Sequence, residues 1–138
     1  MIIGRGDPLF NVRAVSLRYR VFHDKLVVFD GWTARYRRRP DGYAPEKVLA
    51  VPDSRDAIAL LRYSEEGAPA HFPNLVRVRP DGEIQWRGMP PALEPGVHDS
   101  WLAFRWAKSG GLSANSWSGF YCKIDPETGT IISAEFTK

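Results

Sequence analysis

Val15-Ser16-Leu17-Arg18-Tyr19-Arg20-Val21 alternates apolar residues with polar or basic ones at every step. In an extended chain successive side chains point to opposite sides, so Val15, Leu17, Tyr19 and Val21 share one face while Arg18 and Arg20 take the other. A period of two is the mark of a β-strand with one buried and one solvated face. The rhythm returns downstream. Arg35, Arg37 and Arg39 alternate with Tyr36 and Arg38, and Arg77 and Arg79 alternate with Val76 and Val78. Arginine rows of this kind are expected on solvated faces. Trp101–Trp106 is aromatic and apolar on both faces, and Phe120–Ile124 alternates again before a turn, so both read as core strands.

Helix signals are confined to one place. After Pro52, either Asp53 or Ser54 would cap a helix over Arg55–Leu61. The run Ala57-Ile58-Ala59-Leu60-Leu61 reads better as a buried strand, because no amphipathic stripe continues past it. The expected fold is all-β: an antiparallel barrel or two-layer sandwich of about 8–10 strands made from blade-like hairpins, with at most one short helix near 54–61. The 138 residues suit a single domain over 1–138, and 43% hydrophobic with 25% charged residues is a globular rather than a disordered balance.

Three turns have similar chemistry. Arg39-Pro40-Asp41-Gly42, Arg79-Pro80-Asp81-Gly82 and Asp125-Pro126-Glu127-Thr128-Gly129 each follow an alternating strand, with proline fixing φ and glycine accepting positive φ. Asp41, Asp81 and Asp125 are 40 and 44 residues apart, a spacing compatible with an internal repeat.

The ordered combination Asn74-Leu75-Val76-Arg77-Val78, Asp81-Gly82-Glu83-Ile84-Gln85-Trp86-Arg87, Asn115-Ser116-Trp117-Ser118-Gly119-Phe120, Asp125-Pro126-Glu127-Thr128-Gly129 and Glu135-Phe136-Thr137-Lys138 resembles a family of short, uncharacterised bacterial all-β proteins. The resemblance covers residues 57–138. Its strand-turn-strand layout is also similar to one blade of the repeats in quinone-dependent propeller enzymes. The family resemblance implies an intracellular bacterial β protein and assigns no activity, cofactor or catalytic residue. The N-terminal third departs most from the pattern, so a specialised function is expected there.

The remaining candidates are weighed by spacing. His23, His71 and His98 are too far apart for a local metal site, and neither metal nor cofactor is expected. His98-Asp99-Ser100 are adjacent and cannot fold back on themselves into a catalytic triad, so no catalytic residue is assigned. Gly4-Arg5-Gly6 and Gly110-Gly111 lack the lysine and helix of a phosphate loop, and Glu65-Glu66 reads as a solvated loop. The lone Cys122 reads as a buried structural thiol. Apolar runs are too short for a membrane-spanning helix, and Met1-Ile2-Ile3 followed by Gly4-Arg5-Gly6-Asp7-Pro8 lacks the apolar core of a secretory signal. A cytoplasmic protein without membrane contact is expected.

Binding residues are drawn from two features. Most of Trp32, Trp86, Trp101, Trp106 and Trp117 are expected in the core, while Trp32 and Trp117 at loop-strand junctions would line a pocket or partner surface. Net charge is +3, yet residues 1–39 carry +6 and the rest −3. The basic surface is therefore local, and Arg35, Arg37 and Arg39 join Trp32 and Trp117 as candidate binding residues. Alternation places Tyr19 and Tyr36 on the face opposite their arginine neighbours. The leading functional expectation is a non-enzymatic protein-binding module of the immunity or adaptor kind. Nucleic acid or another polyanion on the arginine rows, and a small ligand in a barrel mouth, are the alternatives.

Overall fold

Every residue of Ala57–Leu61 is buried, and so is every residue of the neighbouring strand Leu75–Val78. A sheet apolar on both faces needs a cover on each. The computed structural model, which describes residues 17–63, 68–92, 94 and 96–137, contains both covers. Val15, the segment Met1–Pro8 with its Gly4-Arg5-Gly6, the Glu65-Glu66 pair and Lys138 lie outside the described residues.

The first three strands, β1 (Leu17–Phe22), β2 (Lys25–Asp30) and β3 (Thr33–Arg38), form an antiparallel meander. A single 3-10 turn, Pro40–Gly42, leads into the central sheet. That sheet has the order β4 (Pro45–Ala50), β5 (Ala57–Leu61), β7 (Leu75–Val78), β8 (Ile84–Gly88). The third sheet runs β12 (Ile131–Phe136), β11 (Phe120–Ile124), β10 (Leu112–Ser116), β9 (Asp99–Trp106), with the short β6 (His71–Phe72) added in parallel to β9.

Alternation along β5 and β7 sorts the core into two. Tyr19, Leu26 and Val28 from the first sheet pack on Ala57, Ala59, Leu61, Val76 and Val78. On the other face Ile58, Leu60, Leu75 and Trp86 meet Trp101, Phe104, Leu112, Ala114, Cys122 and Ile124 of the third sheet. The result is three stacked layers. The fold is all-β, as expected; the barrel form is corrected, since none of the three sheets closes on itself, and the sandwich has a third layer because the doubly apolar middle sheet requires cover on each side. The described residues hold twelve strands, more than the 8–10 expected. Residues 57–61 are extended rather than helical, and Ser54 Oγ accepts from the Asp56 N–H within the β4–β5 hairpin instead of capping a helix.

Two polar side chains tie the central sheet to the third. Asn74 Nδ2 donates to the carbonyls of Leu61 and Trp101, each at 2.9 Å, and its Oδ1 accepts from the Trp101 N–H at 2.7 Å. Arg77, expected on a solvated face, is buried: its Nε donates to Asp56 Oδ2 at 3.0 Å and its Nη1 to the Pro126 carbonyl at 2.8 Å. Trp86 Nε1 donates to the same Pro126 carbonyl. An arginine fits this core position because each of its three side-chain nitrogens has an acceptor, with Nη2 donating to Ser54 Oγ at 3.3 Å.

The three aligned turns do not occupy equivalent places. Those at 79–82 and 125–129 close the hairpins β7–β8 and β11–β12, whereas 39–42 crosses from the first sheet to the central one. The counterpart in the first sheet is the Asp30-Gly31 turn between β2 and β3, also at positive φ. Gly82 and Gly129 share a further property: a Cβ on Gly82 would overlap the Tyr36 ring, and one on Gly129 the Trp86 ring. Each of these turns therefore seats an aromatic ring from the layer before it.

Replacing Asn74 by Ala leaves three buried backbone groups unpaired, and urea unfolding is expected to show a loss of about 3–5 kcal/mol. Asn74→Asp should recover little of it, because a carboxylate accepts from Trp101 N–H but donates to neither carbonyl. Burial, with Asp99 adding to it, pushes the Cys122 thiol from 9.0 to about 11. The folded state then holds a proton that the unfolded chain releases, so this thiol's contribution to stability declines as pH rises from 9.0 through about 11. At a pH of about 8.5, alkylation of the native thiol by iodoacetamide should be slower by roughly a hundredfold than in denaturant.

Candidate functional site

The outer face of the first sheet is built by register. Arg18 pairs with Phe29 and Arg20 with Val27 across β1–β2, while Val27 pairs with Arg37 and Phe29 with Ala34 across β2–β3. Cross-strand partners share a face, so Arg20, Val27 and Arg37 form one row and Arg18, Phe29 and Ala34 the next. Phe22 and Lys25 continue the same face at the β1–β2 turn, with Phe22 57% exposed. Tyr19 and Tyr36 point the other way, into the core. Burial, reinforced by Asp56, holds the Tyr19 phenol well above its ordinary range, and Tyr36 is raised by burial too. The Tyr19 hydroxyl donates to the Arg55 carbonyl, locking the first sheet to the β4–β5 hairpin.

Arg18 organises the outer face. Its guanidinium lies 5.6 Å from the ring centroids of both Phe29 and Trp32, and Nη2 donates to the Gly31 carbonyl at 3.0 Å. Trp32 sits on the β2–β3 turn with 94% of its surface exposed. Stacking against a cation that is itself hydrogen-bonded restrains the indole without burying it.

The five sequence-derived candidates separate in space. Trp32 and Arg37 belong to this face. Arg35 is the extra residue where the β2–β3 register shifts, and it pairs with Asp30 at 3.2 Å. Together with Leu17, Val28, Arg55 and Asp81, Arg35 and Asp30 line a cleft of about 350 Å³ at the edge of the sheet. Arg39 lies past β3, with its Nη2 3.9 Å from Asp24. Trp117 is on the β10–β11 turn of the opposite outer layer, 54% exposed and edge-to-face with His98. The exposure of Trp32 and Trp117 agrees with their junction positions, but the fold does not bring them together. Sequence reasoning passed over Arg18 and Phe29 as a pair. The two-residue His23-Asp24 turn between β1 and β2, with both residues at positive φ, sets the register that joins them.

Asp99 is fully buried and accepts from four donors: the N–H groups of Ala92, Ser100 and Ser118, and the Ser118 hydroxyl at 2.8 Å. It thereby fixes the Ser116-Trp117-Ser118-Gly119 turn. Ser100 Oγ is 3.4 Å from His98 Nε2 but is itself buried, and Asp99 lies on the other side of the strand. These three residues serve the packing of β9. Among the described residues no group of three or more His, Cys, Asp and Glu is arranged to hold a metal ion.

Because the Trp32 ring packs on no core residue, Trp32→Phe is expected to change stability by less than about 0.5 kcal/mol. It should also remove the component of tryptophan emission most accessible to acrylamide. Quenching that is unchanged in the variant would contradict the exposed placement.

No curated protein and no solved structure matches the chain. A family model described as a domain of unknown function, DUF7957, matches residues 45–136. The match starts where β4 starts and ends where β12 ends, so it takes in the central and third sheets and leaves the arginine-bearing first sheet outside. The chain belongs to the DUF7957 family.

Proposed function

We propose that the chain is a non-enzymatic binding module of the immunity or adaptor kind, acting in the bacterial cytoplasm, and that the outer face of its first sheet receives a protein partner with an acidic surface. The observation that carries this reading is the Arg18–Trp32–Phe29 stack, an exposed indole held in place beside a guanidinium. Tryptophan and arginine are the residues most enriched at binding hot spots, and a restrained ring loses less entropy on contact than a mobile one. Charge complementarity sets the partner's sign. Arg18, Arg20, Lys25 and Arg37 all project from this face, and Arg20 and Arg37 form no ion pair among the described residues. The family-wide sheets act on this reading as the scaffold, with the Asn115–Phe120 turn as a structural signature, and the first sheet carries the specificity.

A second reading, a polyanion such as single-stranded nucleic acid, is favoured by the same combination of cations and rings, which suits phosphates and bases. One experiment separates the two. The tagged full chain is used for capture from native lysate, with and without nuclease, beside Trp32→Ala and the triple variant Arg18→Ala, Arg20→Ala, Arg37→Ala. The expected result is a nuclease-insensitive protein retained by the parent chain and lost from both variants while their melting temperatures hold. Trp32→Ala alone should weaken binding by about 2 kcal/mol or more. Recovery of the same protein by the triple variant would overturn the proposal, and recovery of nucleic acid that declines steeply with salt would replace it with the second reading.

A further inference from the structure

A second cleft of about 350 Å³ lies where the first and central sheets meet, lined by Asp24, Arg39, Gly42, Tyr43, Ala44, Arg62 and Tyr63. It is chemically unlike the face above. Arg39 and Arg62 give it two guanidiniums against one carboxylate, and Arg62 forms no ion pair among the described residues. Among the described residues the ion-pair partner of the Arg39 side chain is Asp24, at 3.9 Å and with both side chains exposed, a contact that an incoming anion displaces at little cost. Gly42, at positive φ, leaves open space on its side of the cleft: nothing lies within 4 Å of where a Cβ would be.

Aromatic rings continue from this cleft across the molecule. Tyr43 packs on Phe72 at 4.7 Å, Phe72 on Tyr63 at 6.1 Å, Tyr63 on His98 at 4.9 Å and His98 on Trp117 at 5.7 Å. Phe72 is the buried member that anchors the row, while Tyr63 is 43% exposed and braced edge-to-face from two sides. A braced, partly exposed tyrosine and two arginines line one small cavity, residue types that suit a flat ring and an anion. The row runs from the cleft that Arg39 lines to Trp117, two residues the sequence singled out for unrelated reasons.

We infer that this cleft binds a nucleotide, with its phosphate between Arg39 and Arg62 and its base stacked on Tyr63. Guanidinium pairs bind phosphate through charge-assisted, often bidentate hydrogen bonds. A planar base stacks on an aromatic ring irrespective of its hydrogen-bonding edge. A cleft of this size falls at the lower end of ordinary small-ligand sites, enough for a mononucleotide or for one residue of a strand. The site shares no residue with the outer face of the first sheet, so either can fail without the other.

The test is an amide NMR titration of the full chain with AMP, adenosine, inorganic phosphate and a short single-stranded oligonucleotide bearing a 5′-phosphate. Saturable shifts at Gly42, Ala44, Arg62 and Tyr63 are expected with AMP, and adenosine and phosphate should each bind more weakly by about tenfold or more. Arg62→Ala should lose about tenfold in AMP affinity, with Arg62→Lys as the variant to use if Ala perturbs folding. Tyr63→Leu should weaken AMP but leave phosphate unchanged. Tighter binding of the oligonucleotide would identify a strand end as the source of the nucleotide, and equal binding a free nucleotide. Absence of saturable shifts with all probes, AMP affinity unchanged in both Arg62 variants, or phosphate binding as tightly as AMP would overturn the inference.

Discussion

The side chain of Asn74 does the work of a missing piece of strand. Its amide donates to Leu61 and Trp101 carbonyls and its oxygen accepts from the Trp101 N–H, so the end of the central sheet and the start of β9 are joined without an intervening strand. Both layers could be held together by apolar contact alone, but apolar contact does not fix register, whereas paired donors and acceptors do. Arg77 repeats the device at the other end of β7, reaching the Pro126 carbonyl on the β11–β12 turn. With both ends pinned, Trp86 and Trp101 pack between the sheets and hydrogen-bond across them, Trp86 to Pro126 and Trp101 to Gly88.

From that fixed pair of sheets the rest follows outward. The opposite face of the central sheet is equally apolar, and the first sheet covers it with Tyr19, Leu26 and Val28. Alternation then turns Arg18, Arg20 and Arg37 outward, and the β2–β3 turn lifts Trp32 beside Arg18. The family match covers residues 45–136, so the first sheet and the part of the cleft lined by Asp24, Arg39, Gly42, Tyr43 and Ala44 lie outside the matched region.

Much of this architecture was legible in the sequence. Period-two alternation found the strands around Tyr19, Tyr36 and Val76, and the continuous run Ala57–Leu61 carried the signal for a layer buried on both sides. That signal was read as a core strand without drawing its consequence, a third layer. Arg77 was misread because alternation gives the face of a residue and not what covers that face; only the distant Asp56 and Pro126 make it a core arginine. The candidate site was legible in composition and not in arrangement. Trp32 and Arg37 share a surface, while Arg35 falls on a bulge, Arg39 beyond the strand and Trp117 on another layer, and long-range pairing decides all three. Tyr63 and Arg62 carried no local pattern at all.

The doubly covered sheet, stapled by Asn74, is expected to be the most stable part of the molecule, with the outer surfaces built upon it. Native-state hydrogen exchange followed residue by residue tests this directly. Amides of β5 and β7 are expected to exchange last, through global unfolding, with the Trp101 amide among them because Asn74 holds it. A Trp101 amide exchanging at turn-like rates, or β5 and β7 opening before the first sheet, would contradict it.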